Sequence, residues 1–217
     1  MAPHSYPPVE LRAEGLACRR GGRVVFAGLS FALGPGQAVL LSGANGSGKS
    51  SLLRLLATLI APIEGVLRWN GEAVSGDIDA YRAALRFVSH QDAVKPLLTV
   101  QENLAFLSGL ADPALSPAQL DAALDALDMR PLGRLPARLL SAGQRRRLAL
   151  SRLAASPAPL WLLDEPGSGL DRASLQRLHG MIAQHRAKGG MVIASSHGDL
   201  DLPQARPLDM NALRVDA

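Results

Sequence analysis

Apolar residues gather in short dense runs bounded by glycine, proline and charged positions. "QAVLLSG" (37–43), "PLWLLDEP" (159–166) and "GMVIASS" (190–196) each hold about five consecutive apolar or small positions, the length of a buried strand and too short for a helix. "GVLRWNG" and "ALRFVSH" read as further strands, and the stretch from Val9 to Phe31 reads as short strands joined by a Gly21-Gly22 turn. After "QAVLLSG" the period lengthens at once, and "SSLLRLLATL" predicts a helix opening directly after a glycine-rich loop. From about Asp92 to Leu140 the pattern is mainly helical, as in "SPAQLDAALDALDM", where the Ser116 hydroxyl can cap the first turn. An Arg-rich helix over about 144–155 and a helix over about 173–185 follow, each leading into an apolar strand. Strands buried on both faces and alternating with helices predict an α/β fold on a mainly parallel sheet, with a helical segment inserted at about 92–155. The tail after His197 is too short for another domain.

Composition narrows this picture. With 217 residues and 47% hydrophobic content the chain can bury one large core. No apolar run reaches the ~18 residues that span a bilayer. The N-terminal "MAPHSYPPVE" lacks the basic start and apolar stretch of a signal peptide, and the single Cys18 cannot form an internal disulfide, so a reducing compartment is expected. A net charge of +4 raises nucleic acid as a partner, but the basic residues are scattered and aromatics are only 4%, so no direct nucleic-acid binding is expected. All of the basic residues are arginine except Lys49, Lys95 and Lys188, which draws attention to Lys49.

That lysine lies in "GANGSGKS", Gly43–Ser50, which fits G-x-x-x-x-G-K-[ST] between a strand and a helix. Gly43, Ala44, Asn45, Gly46, Ser47 and Gly48 form a loop whose amides can turn toward phosphates, and the helix opening at Lys49, Ser50 and Ser51 adds positive charge. Lys49 can reach the β and γ phosphates, and the Ser50 hydroxyl can face Mg²⁺. "LWLLDEP" then brings Asp164 and Glu165 to the carboxyl end of a strand, where ligands of parallel sheets sit. Asp164 is the expected metal partner, direct or through water, and Glu165 the group that polarises the attacking water. His197 follows another strand and is expected to hold the γ-phosphate and the water; Gln91 follows "RFVSH", where its amide can ligate Mg²⁺ and orient water. His90 beside it reads as a structural residue outside the site. "LSAGQRRR" (140–147) combines a Ser cap, a small-residue turn and a helix N-terminus, which is either a plain capped basic helix or a second anion site. Arg145, Arg146 and Arg147 sit at the unfavourable end of that helix's dipole and call for compensating negative charge that the sequence does not identify.

Taken in order, "GANGSGKS", Gln91, "LSAGQ", "LWLLDEP", "SGLD" (168–171) and His197 resemble the nucleotide-binding subunits of ABC transporters over nearly the whole chain. The resemblance implies a RecA-like P-loop NTPase core with an antiparallel β subdomain and an inserted α-helical subdomain, all within one nucleotide-binding domain spanning 1–217. It also implies ATP and Mg²⁺ as ligands and a head-to-tail pair of copies enclosing two ATP. In that pair Ser141, Gly143 and Gln144 act on the partner's nucleotide and Asp171 lies at the contact. Within the family, "RRGGRVVFAGLSFALGPGQ", "SHQDAVKPLLTVQENLAF" and "LSAGQRRRLALSRL" look most like the ATP-binding subunits of the cytochrome c maturation system. That branch implies haem export, integral membrane subunits of the maturation complex as partners, and a peripheral place on the cytoplasmic side of the bacterial inner membrane. No Cys-x-x-Cys-His marks a haem site in this chain. A small exporter of another kind, or a non-transport ATPase of the same fold, stays open as an alternative.

Two positions depart from the family pattern. Arg20 stands nearest to where an aromatic residue would stack on adenine, and its guanidinium can cover a π face. Ala142 replaces the second glycine of the usual signature, so the turn there must accept a Cβ.

Overall fold

A computed structural model describes residues 5–109, 115–196, 198 and 200–213. The chain begins with two strands, β1 (Leu11–Arg20) and β2 (Arg23–Leu33), joined at Gly21-Gly22 into an antiparallel hairpin longer than the short strands expected. β3 (Ala38–Ser42) leads through the glycine loop into α1 (Lys49–Leu56). β4 (Glu64–Trp69) and the two-residue β5 (Glu72–Ala73) return to the hairpin, completing an antiparallel sheet in the order β2-β1-β4-β5. α2 (Ile78–Ala83), capped by the Asp77 carboxylate, precedes β6 (Leu85–Val88). The helical stretch contains α3 (Val100–Gly109), α4 (Pro117–Ala126) and α5 (Ala142–Ala155). β7 (Leu160–Asp164), α6 (Arg172–Ala187), β8 (Met191–Ser195) and β9 (Arg206–Asp209) follow.

The second sheet runs β6-β7-β8-β3-β9 with every neighbouring pair parallel. Both faces are covered, as all-parallel sheets require. Leu162 and Ile193 point into a core shared with α1 and the antiparallel sheet, including Leu11, Phe26, Leu52 and Leu53. Their neighbours Trp161, Leu163, Val192 and Ala194 face a second core with Val100, Leu104, Leu124, Leu148 and Leu178 from α3–α6. This alternation is the two-residue period of a strand, and it explains why β7 and β8 are apolar up to their last residues, Asp164 and Ser195.

Ser116 caps α4 as the sequence predicts, through a reciprocal capping box with Gln119. The tail beyond His197, expected only as a short terminus, contributes β9 to the sheet. Among the described residues β9 pairs only with β3, and an edge position tolerates Pro207, which has no N–H to give to a ladder.

Candidate functional site

The strand order puts the carboxyl ends of β3, β6, β7 and β8 along one rim. β3 ends at Ser42 and the chain turns through Gly43 at φ +131° and Gly48 at φ +102°, values that favour glycine. Space enforces the same choice. A Cβ on Gly43 would stand 2.7 Å from Ser47 Oγ, and one on Gly48 2.7 Å from Val25 Cγ1, because β2 packs directly behind the loop. α1 opens with no side-chain cap, so the amides of its first turn are left to an anion. Within the loop, Lys49 Nζ donates to the Gly43 carbonyl (2.6 Å) and the Ala44 carbonyl (3.1 Å), and Lys49 as a whole is buried. Ser47 Oγ is buried without a partner among the described residues. The Ala44 amide donates to Asn211 Oδ1 (3.1 Å), so a residue from the C-terminal tail braces the loop. Ala44, Asn45 and Gly46 are exposed at its mouth, while Ser50 and Ser51 are half-buried on α1.

Asp164 closes β7 and is 1% exposed. Its Oδ1 accepts hydrogen bonds from Ser50 Oγ (3.1 Å) and Ser195 Oγ (2.7 Å). The Ser195 hydroxyl in turn accepts the Glu165 amide (3.0 Å), so one side chain at the end of β8 ties the two acids together. Glu165 has φ +49°, a left-handed conformation that costs a non-glycine residue energy and is held only where neighbours over-determine it. His90, assigned on sequence to a structural role outside the site, lies beside Glu165: its Nδ1 is 3.5 Å from Glu165 Oε2, an ion pair when the imidazole is protonated. Gln91 is exposed three residues beyond Val88, whose partner in β7 is Leu163, so its loop leaves the sheet on the same rim as Asp164 and Glu165. His197 lies outside the described residues. Arg20 is exposed at the hairpin tip opposite Arg23, on the hairpin whose Val25 lies against Gly48.

The signature turn is a second constellation. Ser141 caps α5 with a full capping box: its Oγ accepts the Gln144 amide (3.2 Å), and the Gln144 side chain accepts the Ser141 amide (2.8 Å). Ala142 is exposed at the first helical position, where a Cβ meets no obstacle to the turn. Gly143 differs, since a Cβ there would stand 2.8 Å from the Gly169 carbonyl. That approach joins "LSAGQ" to "SGLD". Ser141, Gly143, Gln144, Arg147, Gly169 and Asp171 line one polar cleft of about 340 Å³. Asp171 caps α6 by accepting the Ser174 amide (2.8 Å), which with the Ser174 hydroxyl and nearby Arg147 holds its carboxyl below the usual range. Among the described residues, no hydrogen bond links this cleft to the phosphate loop.

The arginines find their compensation. Arg145 donates to the Leu140 carbonyl, and Arg147 to the Leu127 and Asp128 carbonyls with an ion pair to Asp128. Arg146 is buried and directed at the rim.

This arrangement suits a polyphosphate and a hard divalent cation. Ser47 Oγ lacks a partner, the loop curls around an ammonium, and glycines leave the space a phosphate needs. Ser50 and Asp164 present hard oxygens side by side. Mg²⁺ takes few protein ligands and completes its shell with phosphate and water, and two adjacent hard oxygens fit that need.

A P-loop core with a separate capped turn and polar cleft at Ser141 defines a class, and the comparisons agree with it. Residues 26–168 match the family described as ABC transporter. The chain belongs to the ABC transporter family, as an ATP-binding, ATP-hydrolysing domain of it. It is 52% identical over 205 residues to the cytochrome c biogenesis ATP-binding export protein CcmA of Paramagnetospirillum magneticum, covering 94% of each chain. It is also 52% identical to the protein of that name from Rhodospirillum rubrum, covering 96% of this chain and 89% of that one. The fold matches a putative ABC transporter ATP-binding protein from Pyrococcus furiosus at a TM-score of 0.83 and 21% identity, over 95% of this chain and all of that one. It also matches a bacterial Atm1-family ABC exporter with ATP bound at 0.78 and 25% identity, over 94% of this chain and 38% of that one. No described helix is long and apolar enough to cross a membrane.

Proposed function

We propose that residues 1–217 form one nucleotide-binding domain, with residues about 92–155 as its inserted helical subdomain, and that two copies pair head to tail around two ATP. The observation that carries this reading is the separation, on one chain, of the phosphate loop from the polar cleft at Ser141. Among the described residues the phosphate loop has acids but no signature turn in contact with it, and the signature cleft has polar donors but no lysine or metal-binding acid pair. Antiparallel apposition of two copies completes both.

In each composite site Gly43–Ser51 hold the phosphates with their amides, and Lys49 exchanges the Gly43 and Ala44 carbonyls for the β and γ phosphates. Ser50, Asp164 and Gln91 would hold Mg²⁺, which would supply positive charge against that developing on the transferred phosphoryl group. Glu165 accepts a proton from the attacking water, Ser195 and His90 orient its backbone and carboxylate, and His197 holds the water and γ-phosphate. Arg20 stacks on the base. From the other copy, Ser141, Gly143 and Gln144 close over the γ-phosphate and Asp171 lies at the contact.

The similarity to proteins named for cytochrome c biogenesis export supports a finer reading. The chain is the motor for haem export or release of a haem-loaded chaperone, bound peripherally to integral membrane subunits of the cytochrome c maturation complex on the cytoplasmic side of the inner membrane. The loop "DAVKPLLTVQENL" is its docking surface: Leu97 is 85% exposed, while buried Asn103 fixes the loop through the Lys95, Leu98 and Thr99 carbonyls. Deleting the gene tests this. c-type cytochromes should disappear while b-type ones persist, and unchanged c-type content would contradict the assignment.

A further inference from the structure

Arg146 is the fifth residue of α5, one helical turn from the signature, and is 4% exposed. A guanidinium so placed lies at the positive end of the helix dipole and loses most of its hydration. What repays it is an unusually full set of acceptors. Nε donates to the Pro166 carbonyl (3.2 Å); Nη1 to the Ser89 carbonyl (2.7 Å) and Asp92 Oδ1 (3.1 Å); Nη2 to the Asp164 carbonyl (2.7 Å) and Glu165 carbonyl (2.8 Å). Three successive carbonyls of the catalytic turn and two oxygens flanking Gln91 are therefore gripped by one planar group.

The grip falls where the backbone needs holding. Glu165 stands in the left-handed region, with its amide on Ser195 and its carbonyl on Arg146. The Ser89 and Asp92 contacts bracket His90 and Gln91, so the same guanidinium sets the spacing between the loop carrying Gln91 and the turn carrying Asp164 and Glu165. The helix that carries Arg146 begins at the signature turn.

We infer that Arg146 is a positioning residue that clasps the catalytic turn to the Gln91 loop and carries movement of the signature turn to both, so that closure on one nucleotide is felt at the other. The coupling half rests on the head-to-tail reading above; the positioning half does not. A planar five-donor fork is required, because a lysine ammonium at this place has three donors from a single point and cannot span carbonyls on two segments.

The first test is steady-state ATPase of the full chain carrying Arg146→Lys, with Tm and affinity for a non-hydrolysable ATP analogue measured on the same protein. Positioning predicts that kcat falls on the order of 100-fold, as for small misplacements of reacting groups, while KM and analogue affinity stay within about threefold. Asp92→Ala, which removes one partly exposed limb and leaves the core intact, serves if the lysine variant fails to fold; it predicts a smaller fall, in kcat alone. A rise in KM with unchanged kcat in either variant would overturn the positioning role.

The second test uses tagged heterodimers. One chain carries Glu165→Gln together with Arg146→Lys and the other is unaltered, so the live site has a native phosphate loop and catalytic turn and borrows only the signature turn of the altered chain. Coupling predicts turnover at least about fivefold below the control pairing of Glu165→Gln with an unaltered chain. Turnover equal to the control overturns coupling. A control pair that keeps the full homodimer rate, or proves not to associate, indicts the head-to-tail reading instead and leaves positioning to the first test.

Discussion

Ser195 Oγ lies 2.7 Å from Asp164 Oδ1 and accepts the Glu165 amide at 3.0 Å, so the hydroxyl at the end of one strand sets both acids at the end of its neighbour. The two strands pair in register there, Asp164 opposite Ser195. Ser195→Ala leaves the buried Asp164 with Ser50 alone and frees the Glu165 amide. Such a loss costs about 1–3 kcal/mol. kcat should fall about tenfold or more, with KM for ATP nearly unchanged; equal loss in KM would mean that Ser195 serves binding instead.

Glu165→Gln keeps the shape of the side chain and removes the proton acceptor. The variant should bind ATP, pair stably and hydrolyse it at least about 100-fold more slowly than the unaltered chain. Retained turnover would remove Glu165 from the base role.

Gly143→Ala tests the cleft shared by "LSAGQ" and "SGLD". The added methyl meets the Gly169 carbonyl at 2.8 Å, and relieving that clash costs about 1–3 kcal/mol as the turn or α6 shifts. Thermal unfolding should drop by a few degrees, and ATP-driven pairing, measured by light scattering, should weaken. Pairing at native strength would show that the cleft does not meet a nucleotide.

Acid sensitivity arises far from the site. His185 stacks on Trp161 with ring centroids 3.8 Å apart, approaches the Met191 carbonyl through Nε2 at 3.3 Å, and has a buried Nδ1 with no partner among the described residues. Burial therefore pushes its pKa down to about 4, with the Met191 carbonyl opposing. The unfolded chain, with an ordinary value near 6.5, takes up the proton first as pH falls. The stabilisation is complete above about pH 6.5 and is lost by about pH 4, on the order of 3 kcal/mol in all. Tm against pH should slope downward across that window and flatten in His185→Phe; equal slopes in both proteins would rule His185 out as the cause.

Local features were legible and long-range ones were not. The phosphate loop announces itself because the glycines, lysine and hydroxyl that bind a phosphate are contiguous, and β7 and β8 because burial on both faces makes all but their last positions apolar. Ser195 and Asn211 carry no such mark. Each is one polar residue whose partner lies more than a hundred residues upstream for Asn211, and across a strand pair for Ser195. β9 escaped because an exposed edge strand, "RPLD", needs no apolar run. The partners of Arg146 come from two segments that meet only in the folded chain. His90 read as structural because nothing local ties it to Glu165, 75 positions away.

The central claim is that each ATP site is shared between two copies, and one mixing experiment tests it. Lys49→Ala ruins a phosphate loop and spares the signature turn; Ser141→Arg does the reverse. Each variant alone should be inactive. Combined, they should form heterodimers with one site built from the intact loop of one chain and the intact turn of the other, and ATPase activity should rise well above that of either variant. If the mixture stays as inactive as its components although the heterodimer forms, the two sites are not shared, and the account is contradicted.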